Sequence, residues 1–408
     1  MAELKPFRGF RPPPERVREI AAPPYDVVSR EEARAYAAGN PACFFHISRP
    51  EIDFEPSVDE HAEEVYARGR ENLRRFLEAG WLRRDGQASF YAYRQRMGGH
   101  VQTGLVAASS VDEYDDGRIR KHELTRPDKE DDRTRHIDEL GAHDEPVFLT
   151  YRAHRAIDAL MQEATAGLPE YDFVAEDGVA HTFWVVRGGL NARLAEAFRE
   201  IPRLYVADGH HRSAAASRVR ALRRSRGAAS GGHDFFLCVV FPDDQIRILD
   251  YNRVVRDLGA HSPEQFLARV RERFEVEPSP EKKPRRLQEF GMYLGGRWYR
   301  LRARPGTFPE TPVGSLDVSI LQENLLAPIL GIADPRTDPR IQFVGGIRGM
   351  EELERRVGSE GFAVAFALYP TSLEQLMAIA DANGIMPPKS TWFEPKLRSG
   401  LVLHPFDP

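Results

Sequence analysis

The densest chemistry in the chain lies in Asp208-Gly209-His210-His211-Arg212-Ser213. A short apolar run, Leu204 to Ala207, precedes it, and an Ala- and Arg-rich stretch, Ser213 to Arg226, follows. That order reads as a strand, a glycine turn and the start of a helix. Free N–H groups and the positive end of a helix attract anions. Gly209 lets the backbone come close to a ligand, His210 and His211 add donors, and Arg212 can grip two phosphate oxygens at once. Ser213 adds a hydroxyl, and Asp208 can orient a histidine or hold a metal ion. The segment is expected to bind phosphate, and specifically that of a nucleotide. Two other readings stay open. One is a plain helix cap with incidental histidines. The other is a histidine-ligated transition metal, although adjacent histidines point in different directions.

A second segment runs from Lys121-His122-Glu123 to Lys129 and Arg133. The zinc-protease pattern needs a second histidine four places after the first, and Arg126 stands there instead. What remains is a set of acids and bases. Glu123 could take a proton from a hydroxyl, and Lys121, Lys129 and Arg133 could hold anions, with His122 beside them. A solvated charged stretch is the plainer alternative. A third segment, Pro387-Pro388-Lys389-Ser390-Thr391 with Lys396 beyond it, resembles the end of a P-loop. Pro388 occupies the place of the required glycine, so no Walker A motif is present. Its lysines and hydroxyls are expected to face a phosphate or carboxylate, or else to order a tail that packs Trp392 and Phe393.

The elements that must position these residues follow from patterning. The chain has 408 residues, more than one core usually spans, so two packed domains are expected. The division is placed at 1–260, a catalytic core, and 261–408, an α+β region whose tail returns to the site. Ser29 is predicted to cap a helix ending near Gly39, and Ser57 with Glu60 to form a capping box for a helix over Val58–Gly80. Hairpins are predicted over 89–111, 235–249 and 292–301, and helices over 213–226, 263–274, 316–330 and 372–382. Irregular alternation of strands and helices predicts an α+β fold with mixed sheets.

Charged residues make up 29% and the net charge is −5, so no nucleic-acid or acidic-membrane partner is expected. The arginines at 218, 220, 223, 224 and 226 are read as a solvated helix face. No apolar run is long enough to span a bilayer, and no signal peptide is read at the N-terminus. Cys43 and Cys238 lie in apolar strings and suit a reducing compartment, so a cytoplasmic protein is expected.

Four segments together resemble the bacterial domain-of-unknown-function family 1015: Pro23-Pro24-Tyr25-Asp26-Val27, Lys121-His122-Glu123, Ala207-Asp208-Gly209-His210-His211-Arg212, and Pro387-Pro388-Lys389-Ser390-Thr391. The third is also similar to the phosphate motif of the ParB/sulfiredoxin-like superfamily, so a phosphate-binding element of that type, elaborated by further α/β segments, is implied. In that superfamily, free-serine kinases hold nucleotide phosphates with such a motif and use an upstream glutamate as base. The resemblance implies ATP or ADP with Mg²⁺ as cofactors, Asp208 as metal ligand, Glu123 as base, and Asp208 and His210 as further catalytic residues. It implies ATP-dependent phosphorylation of a small hydroxylated metabolite, free L-serine first among them. The alternative is a ParB-like nucleotide switch without kinase activity. A homodimer is compatible with either. A sulfiredoxin-like role needs a reactive cysteine where the motif has histidines.

Overall fold

The structure, a computed structural model, describes residues 2–407. The chain forms two compact units: Met1–Ile246 with Pro395–Pro408, and Arg247–Glu394. The expected division at 260 therefore moves to 246. The cause is the strand Tyr251–Val255, which pairs with Ile341–Gly345 and Val364–Leu368 of the second unit's sheet.

The first unit is built on a nine-stranded sheet. Its order begins Ile119–Arg120, Leu204–Asp208, Val147–Tyr151, Phe235–Pro242, His100–Ser110 and Tyr91–Met97. It is mixed. Leu204–Asp208 lies parallel to Ile119–Arg120 and antiparallel to Val147–Tyr151. Phe235–Pro242 lies parallel to Val147–Tyr151 and antiparallel to His100–Ser110. The sequence Phe-Phe-Leu-Cys-Val-Val-Phe-Pro shows no polar alternation because the strand is interior and buried along nearly its whole length. Gly104 marks a close approach on the neighbouring strand: a Cβ there would sit 2.8 Å from both Val239 and Phe241.

One face of this sheet carries a large apolar cluster that includes Leu149, Leu194, Phe198, Leu204, Val206 and Val240. A second cluster joins Ala33, Phe44, Phe45, Phe76 and Leu403. The last segment of the chain threads this unit. Ser399 exchanges backbone hydrogen bonds with Ala22, Leu403 does so with Phe10, and His404 pairs with His143. The Ser29 cap is present as a full capping box with Glu32 on the helix Arg30–Ala37.

Three expected elements differ. The long helix starts at Glu63, not Val58, and Ala62 caps it without a side-chain bond. Arg30 holds the carbonyls of Glu51, Glu55 and Val58, which keeps that stretch out of helical geometry. The strand Arg247–Leu249 does not return onto Phe235–Pro242 but pairs with Trp392–Glu394. Phe235–Pro242 is already flanked on both sides and has no free edge. The helix expected over 316–330 is α-helical over Asp317–Leu321 and then widens to a π-turn over Gln322–Leu326.

The second unit centres on a six-stranded antiparallel sheet, with Glu289–Leu294, of the hairpin it forms with Arg297–Ala303, beside Val364–Leu368 at its middle. Capped helices start at Ser262 and Ser372. No helix among the described residues is long and apolar enough to cross a membrane. The fold is α+β with mixed sheets, as the patterning predicts.

Candidate functional site

Asp208 ends an interior strand, and the pairing there slips. Val206 faces Leu149 in register, but Asp208 faces Phe148, so Ala207 is an extra residue. Such a bulge re-aims the side chain that follows. Leu204 and Val206 stay in the apolar cluster, while Asp208 meets Lys396 of the chain's last segment at 2.9 Å. Its other oxygen accepts the Gly209 N–H at 2.9 Å. Burial alone would raise the pKa of Asp208, but Lys396 and Arg212 hold it well below the usual carboxylate range.

Gly209 has φ +93° and caps the helix His210–Ser225. The helix thus opens at His210, earlier than Ser213, and the histidines and arginine of the motif form its first turn. A Cβ at Gly209 would stand 3.0 Å from the Arg212 guanidinium. Left-handed backbone costs an ordinary residue about 1–2 kcal/mol. Gly209→Ala is expected to lose at least about that much stability in chemical denaturation. Gly39→Ala supplies the comparison, since Gly39 also has positive φ but open space around it. Equal losses at both positions would show that Arg212 does not crowd Gly209.

The two histidines diverge. His211 accepts the Arg126 backbone N–H at 3.1 Å through Nε2. His210 is buried and packs edge-on against His122, with ring centroids 4.4 Å apart. Neither ring nitrogen of His122, nor Nε2 of His210, has a well-formed hydrogen bond. Burial pushes the His122 pKa down to about 4, against a smaller upward pull from Asp208 and the Val206 backbone. His210 is also pushed well down, first by burial and then by His122. One ligand atom each of His122, Glu123 and His210 lie within 4.8 Å of one another. The register explains the meeting. Leu204 and Tyr205 lie level with Ile119 and Arg120 on parallel strands, so the residues just beyond each strand emerge at the same edge.

Arg212 is only 6% exposed, so the motif is not the open surface turn that an anion-binding cleft suggests. It donates to the Pro146 carbonyl through one terminal nitrogen and lies 3.6 Å from Asp26 through the other. Its Nε has no hydrogen-bond partner. Burial works against its charge, and Asp26 and Asp208 more than restore it. Asp26 and Tyr25 belong to the proline-fixed N-terminal segment, and Tyr25 lies under the Arg133 guanidinium at 4.2 Å. Beside them, Glu145 accepts the Ser399 hydroxyl at 2.5 Å. Burial and then Asp144 push its pKa up to about 8, which favours the protonated carboxyl.

The expected site residues therefore divide. His122, Glu123, Asp208, Gly209, His210, His211, Arg212 and Lys396 lie in the first unit around one helix start. Ser213 is fully buried and donates to the His210 carbonyl, which makes it part of the helix rather than a ligand-facing hydroxyl. Lys121 is exposed and lies 4.1 Å over the Tyr114 ring. Lys129 is exposed on the helix Pro127–Leu140, and Arg133 is buried against Asp132 and Tyr25. Lys389, Ser390 and Thr391 belong to the second unit. There the Lys389 carbonyl accepts from Arg253, and the Ser390 hydroxyl donates to the Pro387 carbonyl. Asp208, the expected Mg²⁺ ligand, has one oxygen on a backbone N–H and the other on the Lys396 ammonium. Sequence reasoning assigned no role to Asp26, Glu145 or Ser399. The signals were a charged residue on a proline-fixed path and an acidic pair, Asp144-Glu145, placed directly before a buried strand.

The arginines of the helix His210–Ser225 are matched by acids: Arg218 with Glu130 and Asp131, Arg220 with Asp112 and Asp115, and Arg223 with Asp138. They make no bare basic patch. Cys43 and Cys238 are both buried free thiols, and burial pushes the Cys43 pKa up to about 11, so neither is a ready nucleophile. A cavity of about 790 Å³ lies away from the motif, lined by Tyr66, Thr134, Arg135, Asp138, Arg223 and Arg226. Volume and chemistry disagree here, and the buried unpartnered nitrogens are the more specific sign of a ligand.

The buried histidines make acid the weak side of this fold. In the unfolded chain they protonate near 6.5. In the fold His122 and His404 stay neutral down to about 4, and His143 and His181 down to about 3. Within that window the unfolded chain binds more protons, so stability rises with pH and is lost as pH falls. Glu145 acts in the opposite sense between the usual carboxylate range and about 8, and so does Asp317, which burial pushes up to about 7, so these two carboxyls offset part of what the four histidines contribute. The melting midpoint is expected to fall on acidification from about pH 7 to about pH 5, before most carboxylates titrate. A flat midpoint across that range would contradict neutral, buried imidazoles.

The sequence profile of a family described as a protein of unknown function, DUF1015, matches residues 4–319. The chain belongs to that family. No curated protein matches its sequence. Among solved structures it is similar to a free serine kinase variant in complex with AMP, at 13% identity and a TM-score of 0.37, over 71% of this chain and 86% of that one. A free serine kinase variant in complex with ADP gives 14% and 0.35, over 71% and 87%. SbnI with a C-terminal truncation, from Staphylococcus aureus, gives 11% and 0.36, over 72% and 84%.

Proposed function

We propose that the helix start at Gly209–Arg212 binds the terminal phosphates of ATP or ADP, and that the protein transfers the γ-phosphoryl group to a small hydroxylated metabolite. The observation that carries this reading is the Arg212 guanidinium, buried at a left-handed glycine turn with its Nε unpartnered. An orphaned buried donor of this kind costs on the order of 1–3 kcal/mol unless a ligand accepts from it. A phosphate oxygen at a helix N-terminus is a fitting acceptor.

In this reading the backbone N–H groups of His210 and His211 and the Arg212 side chain hold phosphate oxygens. Lys396 adds positive charge where the transferred group becomes most negative. The acceptor hydroxyl attacks phosphorus, the bond to the bridging oxygen breaks, and ADP leaves. Glu123 takes the hydroxyl proton. Mg²⁺ enters with the nucleotide's own phosphates rather than on Asp208. The similarity of the motif to that of free-serine kinases makes L-serine the first acceptor to try.

A thermal-shift screen with ATP, ADP, CTP and pyrophosphate, each with and without Mg²⁺, tests the binding half. A nucleotide that binds the folded state raises the midpoint. Transfer of labelled γ-phosphate to serine and other small alcohols tests the chemistry. No shift with any nucleotide would sink the proposal. Binding without transfer to any alcohol would favour the ParB-like switch.

A further inference from the structure

We propose that His122, Glu123 and His210 form a binding site for one borderline transition-metal dication of the zinc class, distinct from any Mg²⁺ that accompanies a nucleotide. This inference stands on the donor geometry and does not rest on phosphoryl transfer.

Three donor atoms, two imidazole nitrogens and one carboxylate oxygen, lie within 4.8 Å of one another. They come from separate stretches of chain, brought level by the parallel pairing of Ile119–Arg120 with Leu204–Asp208. Modest side-chain rotations bring each to the roughly 2.0–2.2 Å at which zinc holds such ligands.

The second observation is independent of that proximity. His122 is 1% exposed and His210 is 6% exposed. Both nitrogens of His122 and Nε2 of His210 lack a well-formed hydrogen bond. Dry imidazole nitrogens without well-formed hydrogen bonds are costly, and an apolar pair would fill the same space without that cost. A metal ion uses their lone pairs directly.

The donor set selects the ion. Two nitrogens and one oxygen suit zinc, cobalt, iron or manganese, whereas Mg²⁺ prefers oxygen and keeps much of its water. Three protein ligands leave a fourth position open, as in catalytic rather than structural zinc sites. Glu123 can ligate through one oxygen and keep the other for a proton.

The test uses the full chain, stripped with a chelator and free of nucleotide. Titration with Co²⁺ followed by visible absorption, and with Zn²⁺ by calorimetry, is expected to show a single equivalent bound. Zn²⁺ should displace the Co²⁺ spectrum and raise the melting midpoint, and Mg²⁺ should do neither. His122→Gln and Glu123→Gln should each weaken uptake by at least about tenfold, the scale on which even outer-shell losses weaken metal sites. Glu123 is only half-buried, so Glu123→Gln decides the matter if His122→Gln fails to fold. Absence of a stoichiometric equivalent, equal uptake of Mg²⁺, or a folded Glu123→Gln variant with wild-type uptake overturns the proposal. None of these readouts depends on whether ATP binds.

Discussion

Replacement of Glu123 by glutamine is expected to lower phosphoryl transfer by roughly 10²–10⁴-fold, the usual scale for losing a general base. The substitution keeps the size and removes the proton acceptor. Affinity for ATP should stay close to that of the wild type, because the phosphate grip lies on the backbone of the helix start and on Arg212. Turnover with a saturating acceptor, read beside calorimetric ATP titration, separates the two. Equal loss of nucleotide binding and turnover would assign Glu123 to holding the site together. Metal content distinguishes a further case: a variant that loses both its zinc-class ion and its turnover, while still binding ATP, acts through the metal.

Replacement of Arg212 by alanine is expected to weaken ATP binding by tens- to thousands-fold, since removing one partner of a desolvated charged contact costs on the order of 2–5 kcal/mol. The structure adds a second consequence. Arg212 donates to the Pro146 carbonyl and faces Asp26, so alanine also removes a brace between three segments. Part of that loss is discounted because Asp26 is 40% exposed and water can screen it. Alanine should therefore lower the melting midpoint as well as the affinity. Arg212→Lys is the sharper variant. It keeps the charge near Asp26 but loses the planar fork that serves carbonyl and phosphate together. The expected result is a folded protein with ATP affinity reduced by at least about tenfold, the loss of a single good contact. Wild-type ATP affinity in a folded Arg212→Lys or Arg212→Ala protein would end the phosphate reading and leave the segment a buried helix start. His210→Ala and His211→Ala should cost less, and unequally, because His211 faces the Arg126 backbone and His210 faces His122.

Some features were legible because they are local. An apolar run into Asp-Gly and then an Ala- and Arg-rich stretch could only be strand, turn and helix, since glycine alone takes φ near +90° cheaply. The capping box at Ser29 depends on four consecutive residues and forms as read. Ser57 and Glu60 carry the same pattern and fail, because Arg30, remote in sequence, claims the carbonyls of that stretch. Local chemistry proposes and distant competition decides.

The site itself was half legible. Residue types alone marked Asp208 to Arg212, His122, Glu123 and Lys396 as chemically active. Only tertiary structure decided which of them meet. Parallel pairing brings His122 and Glu123 to the turn, a one-residue bulge aims Asp208 at Lys396, and the strand order closes both edges of Phe235–Pro242. The same structure buries Arg212 and draws Asp26 and Glu145 to its side. Burial and charge pairing depend on segments far apart in the sequence. A sequence read locally carries the donors and acceptors but not the low-dielectric setting that pushes the Glu145 pKa up and the His122 pKa down.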